Sequence, residues 1–158
     1  MSVNVGSVAP DFTLPSVGGM TRKERSEITL SAYRGKTYVL LAFYPADFSP
    51  VCTTEMESFA KDWTEFRTLG CEILGISADP IEKHQAFAEK LRLEFPLLSD
   101  TDKSVSRLYE VDSLLGTRRA YFIVDLEGII RYKHVELLPI TRRGNPELLQ
   151  TLRGLTAS

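Results

Sequence analysis

The stretch Tyr38-Val39-Leu40-Leu41-Ala42-Phe43-Tyr44-Pro45-Ala46-Asp47-Phe48-Ser49-Pro50-Val51-Cys52-Thr53-Thr54-Glu55 contains the transition on which the fold turns. Its first seven residues are rich in aromatic and aliphatic side chains and show no polar alternation, the pattern of a strand covered on both faces. Such a strand belongs in the middle of a sheet. Ser49 then reads as a helix N-cap, Pro50 as the first helical position and Cys52 as the third. Beyond them Met56, Phe59, Ala60, Trp63, Phe66 and Leu69 recur at steps of three and four, one apolar stripe of an α-helix that Gly70 closes.

Downstream, Cys71 to Ile76 reads as a second buried strand. A helix follows from about Pro80 to Leu91, turning Ile81, Phe87, Ala88 and Leu91 to the core. Strands are expected near Ala120–Val124 and Ile129–Val135, with Glu127-Gly128 as their tight turn. The last helix is predicted with Asn145 as N-cap, Pro146 at its first position and a buried stripe of Leu148, Leu149, Leu152 and Leu155. Upstream, the segments DFTLPSVGG and EITL read as two short strands around a polar, glycine-containing loop. The order is that of an α/β fold, a mixed central sheet flanked by helices with an N-terminal β extension.

The chain has 158 residues, 43% hydrophobic and 25% charged, enough for one core, and a single domain over 1–158 is expected. The 19 basic and 21 acidic residues leave a formal charge of −2 without long single-sign runs, which argues against nucleic acid or an anionic membrane as partner. No stretch approaches the roughly 20 apolar residues of a membrane span, and MSVNVGSVAPDF lacks the basic-then-apolar pattern of a signal peptide, so a cytoplasmic location is expected. Two cysteines are too few for a disulfide scaffold.

Cys52 falls in the first turn of its helix, where unpaired backbone N–H groups and the positive end of the helix dipole favour an anion. Thiolate is the nucleophilic form of cysteine, so this position favours reactivity. The competing reading is a small buried hydrophobe that happens to start a helix.

The company Cys52 keeps favours chemistry. Pro45, Ser49 and Cys52, followed by Thr53-Thr54-Glu55, resemble the peroxiredoxin signature Pro-x-x-x-Thr-x-x-Cys. The segments APDFTL, LGCEILGISAD, FPLLSD and RRAYFIVDLEGII resemble further peroxiredoxin segments in the family's order, and the length is similar to that of the bacterioferritin-comigratory type. The resemblance implies a thioredoxin-like fold and a thiol-dependent peroxidase with an antioxidant role. Such an enzyme reduces hydrogen peroxide and organic hydroperoxides through a Cys52 sulfenic acid, with no metal or organic cofactor.

Carried over, the resemblance makes Cys52 the peroxidatic nucleophile, Ser49 the hydroxyl that orients the peroxide, Pro45 the ring shielding the sulfur and Arg119 the guanidinium of the site. Glu55 and Tyr44 take supporting places. Glu55 shares a helix face with Cys52 and could fix the arginine. Arg118 and Arg119 should point to opposite faces of a strand, so only one can meet Cys52, and the match to RAYFIVD selects Arg119. Its alternative is an exposed partner for an acidic side chain. Ser49 stands where the family more often has threonine; it keeps the hydroxyl and loses the methyl that stiffens the rotamer.

A sulfenic acid is normally cleared by a second thiol. Between Cys52 and Cys71 lies a predicted helix of about 27 Å, against the roughly 7 Å between Cα atoms that a disulfide tolerates. The family's usual resolving positions hold Glu57, a cysteine-free helix 80–91 and a tail ending LTAS. The expectation is a one-cysteine mechanism with an external reductant, thioredoxin, glutaredoxin or a small thiol. Cys71 then serves packing, with an intermolecular disulfide in a dimer as the alternative. A monomer and a homodimer suit the chain equally.

His84 and His134 lack metal-ligand spacing, so surface or packing roles are expected for both. A thioredoxin-type disulfide oxidoreductase would need a second sulfur where Glu55 stands, a glutathione-peroxidase-like enzyme would surround the cysteine differently, and a thiol sensor or holdase would react once without turnover.

Overall fold

A computed structural model describes residues 3–19, 25–114, 116–136 and 144–157. The N-terminal extension forms β1 (Thr13–Gly18) and β2 (Arg25–Thr29), an antiparallel pair running from Thr13 opposite Thr29 to Val17 opposite Arg25. Residues 20–24 of the loop between them lie outside the described residues. A 3-10 turn at Leu30–Tyr33 leads into β3 (Tyr38–Phe43), followed by α1 (Pro50–Thr68) and β4 (Cys71–Ser77). The chain continues through α2 (Ile81–Leu91), β5 (Pro96–Ser99), α3 (Ser104–Leu108), β6 (Asp112–Ser113) and β7 (Gly116–Thr117). It ends with β8 (Ala120–Val124), β9 (Ile130–Val135) and α4 (Asn145–Thr156).

Seven strands form one mixed sheet in the order β2-β1-β5-β4-β3-β8-β9, with β6 and β7 paired separately. The apolar run of β3 lies inside it, parallel to β4 and antiparallel to β8. Side chains of a strand alternate between faces, and β3 feeds two cores. Leu40, Ala42 and Tyr44 join Cys52, Met56, Phe59 and Phe66 of α1, Phe87 of α2 and Leu148 of α4 on one face. Val39, Leu41 and Phe43 join Phe12, Leu30, Val105 and Tyr109 on the other. Burial on both faces explains why the run shows no polar alternation.

Four local details differ from the sequence expectation. β5 is four residues long and opens on Pro96, too short a run to separate from loop, although it pairs with both β1 and β4. α3 is a five-residue helix whose Val105 and Ser106 N–H groups donate to the Asp100 carboxylate at 3.1 and 2.8 Å. The β8–β9 connection is the loop 125–129, with Gly128 at φ 83° and a register shift at Ile123/Val124, in place of a two-residue turn. In α4 the N-cap is Gly144, and Asn145 is the first helical residue. The Asn145 amide donates instead to the Ser58 carbonyl at 2.9 Å and to Asp62 Oδ2 at 3.0 Å, tying α4 to α1.

Candidate active site

β3 delivers the chain to α1 through residues 44–49, and this link sets the geometry around Cys52. Ser49 has extended N-cap backbone angles, and its carbonyl accepts the first helical bond from Thr53 N–H at 2.8 Å. Its side chain caps no helical N–H; the hydroxyl donates to the Ala46 carbonyl at 3.2 Å. Pro50 occupies the start of the helix, where its missing N–H is not needed. Phe48, in the left-handed region at φ 66°, turns the chain just before the helix, and the residue is 42% exposed.

Cys52, Glu55, Met56 and Phe59 form the buried stripe of α1 that faces the sheet. Opposite them lies the start of β8. The antiparallel register sets Ala120 beside Phe43 and Tyr121 beside Ala42, so β8 begins where β3 ends. Arg119 therefore stands at the end of the strands from which α1 departs. Arg118 N–H is held by the Val111 carbonyl at 2.7 Å, and Arg119 O accepts from Glu136 N–H at 2.8 Å.

The Arg119 side chain is buried and bridges two groups of α1. Its Nη2 donates to Cys52 Sγ at 2.7 Å, and its Nε lies 3.4 Å from Glu55 Oε1. Glu55 Oε2 accepts a hydrogen bond from the Tyr121 hydroxyl. A guanidinium suits this bridge because it presents several donors in a fixed plane and keeps its charge. The buried cation, facing one carboxylate and one sulfur, can stabilise negative charge that appears on or near the sulfur.

Pro45 is half-buried in the link, two residues past β3. Tyr44 is fully buried, and its ring packs over Gly75 of β4, where an added Cβ would lie 3.5 Å from Tyr44 Cε1 and 2.8 Å from Leu97 Cδ2. Its hydroxyl donates to Asp47 Oδ1 at 2.5 Å, away from the sulfur. Burial, and then the Asp47 carboxylate beside it, push the Tyr44 hydroxyl well above its ordinary range, so it remains a donor.

Sequence reasoning missed three residues around this site. Tyr121 is one. The others are Asp47 and His84, which hold the link from beneath: His84 Nδ1 lies 2.6 Å from Asp47 Oδ2 and 3.4 Å from the Tyr44 hydroxyl. His84 Nε2 lies 2.9 Å from the Leu98 carbonyl, which can only accept, so that nitrogen donates. His84 is completely buried, and the α2 residue expected on the surface or in simple packing is thus bonded to the loop before Cys52. Asp47 N–H donates in turn to Asp79 Oδ2 at 2.7 Å.

Polar atoms of Asp47, Asp79 and His84 come within 4.8 Å of one another, the spacing of a metal site. They are already engaged: Asp47 by Tyr44 and His84, His84 by Leu98, and Asp79 by Asp47, Ser77 and Lys83. The cluster is a closed hydrogen-bond network bracing the link.

Cys71 lies at the opposite end of the central strands. It pairs with Tyr38 at the start of β3, whereas Cys52 follows the end of β3. Both cysteines are free and buried. Burial, and then the Glu72 carboxylate, push the Cys71 thiol far up, so it stays protonated and a weak nucleophile. Among the described residues no helix is long and apolar enough to cross a membrane.

The model of the AhpC/TSA family matches residues 5–133. The chain is 41% identical to the chloroplastic 2-cysteine peroxiredoxin of Chattonella marina var. antiqua, covering 100% of this chain and 83% of that protein. It is 42% identical to peroxiredoxin-2 of Mus musculus, over 89% of this chain and 74% of that one. Among solved structures, the reduced 2-Cys peroxiredoxin of Plasmodium vivax superposes with a TM-score of 0.91 at 32% identity, covering 97% of this chain and 82% of the other. Agreement of this extent in both sequence and fold means that the chain belongs to the AhpC/TSA family: it is a peroxiredoxin, a thiol-dependent peroxidase with an antioxidant role.

Proposed function

We propose that Cys52 is the peroxidatic nucleophile and Arg119 the cation that stabilises the oxygen leaving it. The observation that carries this reading is the 2.7 Å contact of Arg119 Nη2 with Cys52 Sγ inside a buried pocket that also holds Glu55. The Cys52 thiolate attacks one peroxide oxygen; an S–O bond forms, the O–O bond breaks, and the electron pair departs with the second oxygen. That oxygen takes up a proton and leaves as water or alcohol, and the sulfur, oxidised by two electrons, becomes a sulfenic acid. A fixed cation beside the sulfur lowers the barrier because charge builds on the departing oxygen as the bond breaks.

Ser49, Pro45, Glu55 and Tyr44 complete the arrangement. The Ser49 hydroxyl spends its hydrogen on the Ala46 carbonyl, so it presents lone pairs and orients the substrate by accepting the peroxide O–H. Pro45 shields the sulfur, Glu55 fixes Arg119, and Tyr44 holds Asp47 and with it the link. Cys52 is fully buried, while Pro45 and Ser49 are half-exposed and Phe48 is exposed, so the link 45–49 is the side from which a peroxide arrives.

The reductant that clears the sulfenic acid is an external thiol, from thioredoxin, glutaredoxin or a small molecule. Cys71 is the only other cysteine of the 158 residues, and its position at the far end of the strands and its protonated thiol both speak against it. Unpaired thiols suit a reducing compartment, and the cytoplasm as a monomer or homodimer is the setting this reading takes.

Turnover of hydrogen peroxide with a panel of thiol donors, with both cysteines followed by mass spectrometry, tests the whole. The expected result is sulfenic acid on Cys52, turnover with an added thiol and none in Cys52→Ser. A high-yield Cys52–Cys71 linkage within one chain would refute the external-thiol step, and a single reaction without turnover under every donor would favour a sensor.

A further inference from the structure

Tyr121 has no part in the reaction described above, yet it touches the machinery at one remove. It lies two positions past Arg119, on the face of β8 that packs against α1, and its hydroxyl donates to Glu55 Oε2 while Glu55 Oε1 faces Arg119 Nε at 3.4 Å. The phenol and the guanidinium thus hold opposite oxygens of one carboxylate. Tyr121, Glu55 and Arg119 are all buried.

The ring that carries the hydroxyl is itself held. It stacks on His134 of β9 at 6.5 Å with planes 17° apart, and meets the edge of Phe59 of α1 at 6.4 Å. His134 Nε2 pairs with Glu136 Oε1 at 3.1 Å, and Glu136 N–H donates to the Arg119 carbonyl at 2.8 Å. The phenol therefore stands at a fixed point relative to the Arg119 backbone. A glutamate side chain has several soft torsions, the last of them broad. A charge-assisted bond from a rigid donor defines it well.

We propose that Tyr121 is a positioning residue for peroxide reduction: its phenol locks the Glu55 carboxylate in the orientation that aims Arg119 Nη2 at Cys52. The proposal rests on the reading of Cys52 and Arg119 given above. A cation that stabilises charge on a departing oxygen is effective only where it is already in place, and displacement by an ångström weakens it steeply. Tyr121→Phe removes the donor and keeps the ring on His134 and Phe59.

The test measures two rates of the same sulfur, each on the alkaline plateau of its pH profile so that a changed thiolate fraction does not enter: reaction with hydrogen peroxide, and alkylation by iodoacetamide, whose leaving group is iodide and places no charge on oxygen. Tyr121→Phe is expected to slow the peroxide reaction about tenfold, the worth of a buried hydrogen bond to a charged group, and to change alkylation less than twofold. In a Glu55→Gln background, where the charge to be locked is gone, Tyr121→Phe is expected to have little further effect on the peroxide rate. An unchanged peroxide rate, parallel loss of both rates, or effects of Tyr121→Phe and Glu55→Gln that multiply would each overturn the proposal. Arg119→Ala is run beside them. If it slows the peroxide reaction while Tyr121→Phe does not, only the role of Tyr121 fails; if it too keeps full rate, the reading of Arg119 fails.

Discussion

Arg119→Met separates what the guanidinium does for the reaction from what it does for the fold. Arg119 is 2% exposed and Glu55 0%, so the substitution leaves a carboxylate in the core facing a thioether. Removing one partner of a buried ion pair costs about 3–5 kcal/mol, and the lower end is expected because Tyr121 still donates to Glu55. Against a total stability of about 5–15 kcal/mol the variant stays folded and unfolds at lower urea. The peroxide rate should fall about 10²–10³-fold, the usual loss when one preorganised group aimed at developing charge is removed. The double variant Glu55→Gln/Arg119→Met removes both charges of this pair. It should recover most of the stability, since a neutral pair of similar volume often matches a buried ion pair, and none of the rate. Urea unfolding and stopped-flow peroxide consumption read the two quantities separately. Recovery of rate in the double variant, or wild-type stability in the single one, would refute the reasoning.

Three further outcomes follow from neighbouring residues. Asp47→Ala removes the acceptor of Tyr44 and His84 and should cost about 2–4 kcal/mol; Asp47→Asn, whose amide can still serve both, should cost clearly less, and equal losses in urea unfolding would contradict the network. Ser49→Ala should slow peroxide reduction, and Ser49→Thr, which retains the lone pairs, should not; equal rates for Ala and Thr would remove the hydroxyl from the mechanism. The Cys71 thiol is held protonated in the fold while an unfolded thiol ionises from about pH 8.5, so its contribution to stability is complete below that pH and declines as pH rises beyond it. Cys71→Val should therefore flatten the fall of Tm between about pH 8.5 and pH 10, above which Tyr44 and Tyr109, both raised by burial, add the same sign; identical slopes would count against the assignment.

The fold was legible wherever burial is two-sided or strictly periodic. β3 announces itself by seven successive apolar and aromatic residues, and α1 by a stripe that the structure buries at Met56, Phe59 and Phe66. Short elements were not: β5 and α3 have four and five residues, fewer than a period needs to show itself, and they exist because neighbours pair with them or cap them. Asn145 carries the right side chain for an N-cap, but that amide has a competing use across the interface with α1. His84 sits among Glu82, Lys83 and Gln85, company that reads as solvent-exposed, and only the packing of α2 on β5 turns it inward to the Leu98 carbonyl. Tyr121 looked like one more strand aromatic. Its hydroxyl acquires meaning only through the β3–β8 register, which no local pattern encodes.

Strand direction accounts for which groups Cys52 meets. The helix that carries Cys52 leaves from the end of β3, so a neighbouring strand can place a side chain there only if one of its own ends lies on that side of the sheet. β8, antiparallel to β3, begins there, and its first residues bring Arg119 and Tyr121 to α1 although they are more than sixty positions away. β4, parallel to β3, begins at the opposite end and takes Cys71 with it, about 20 Å down a strand of six residues. Exchanging those directions would give the site a second sulfur and take away its cation. With the directions as they are, Arg119 lies against Cys52 while Cys71 lies at the far end of the strands, the placement that the proposed external-thiol mechanism requires.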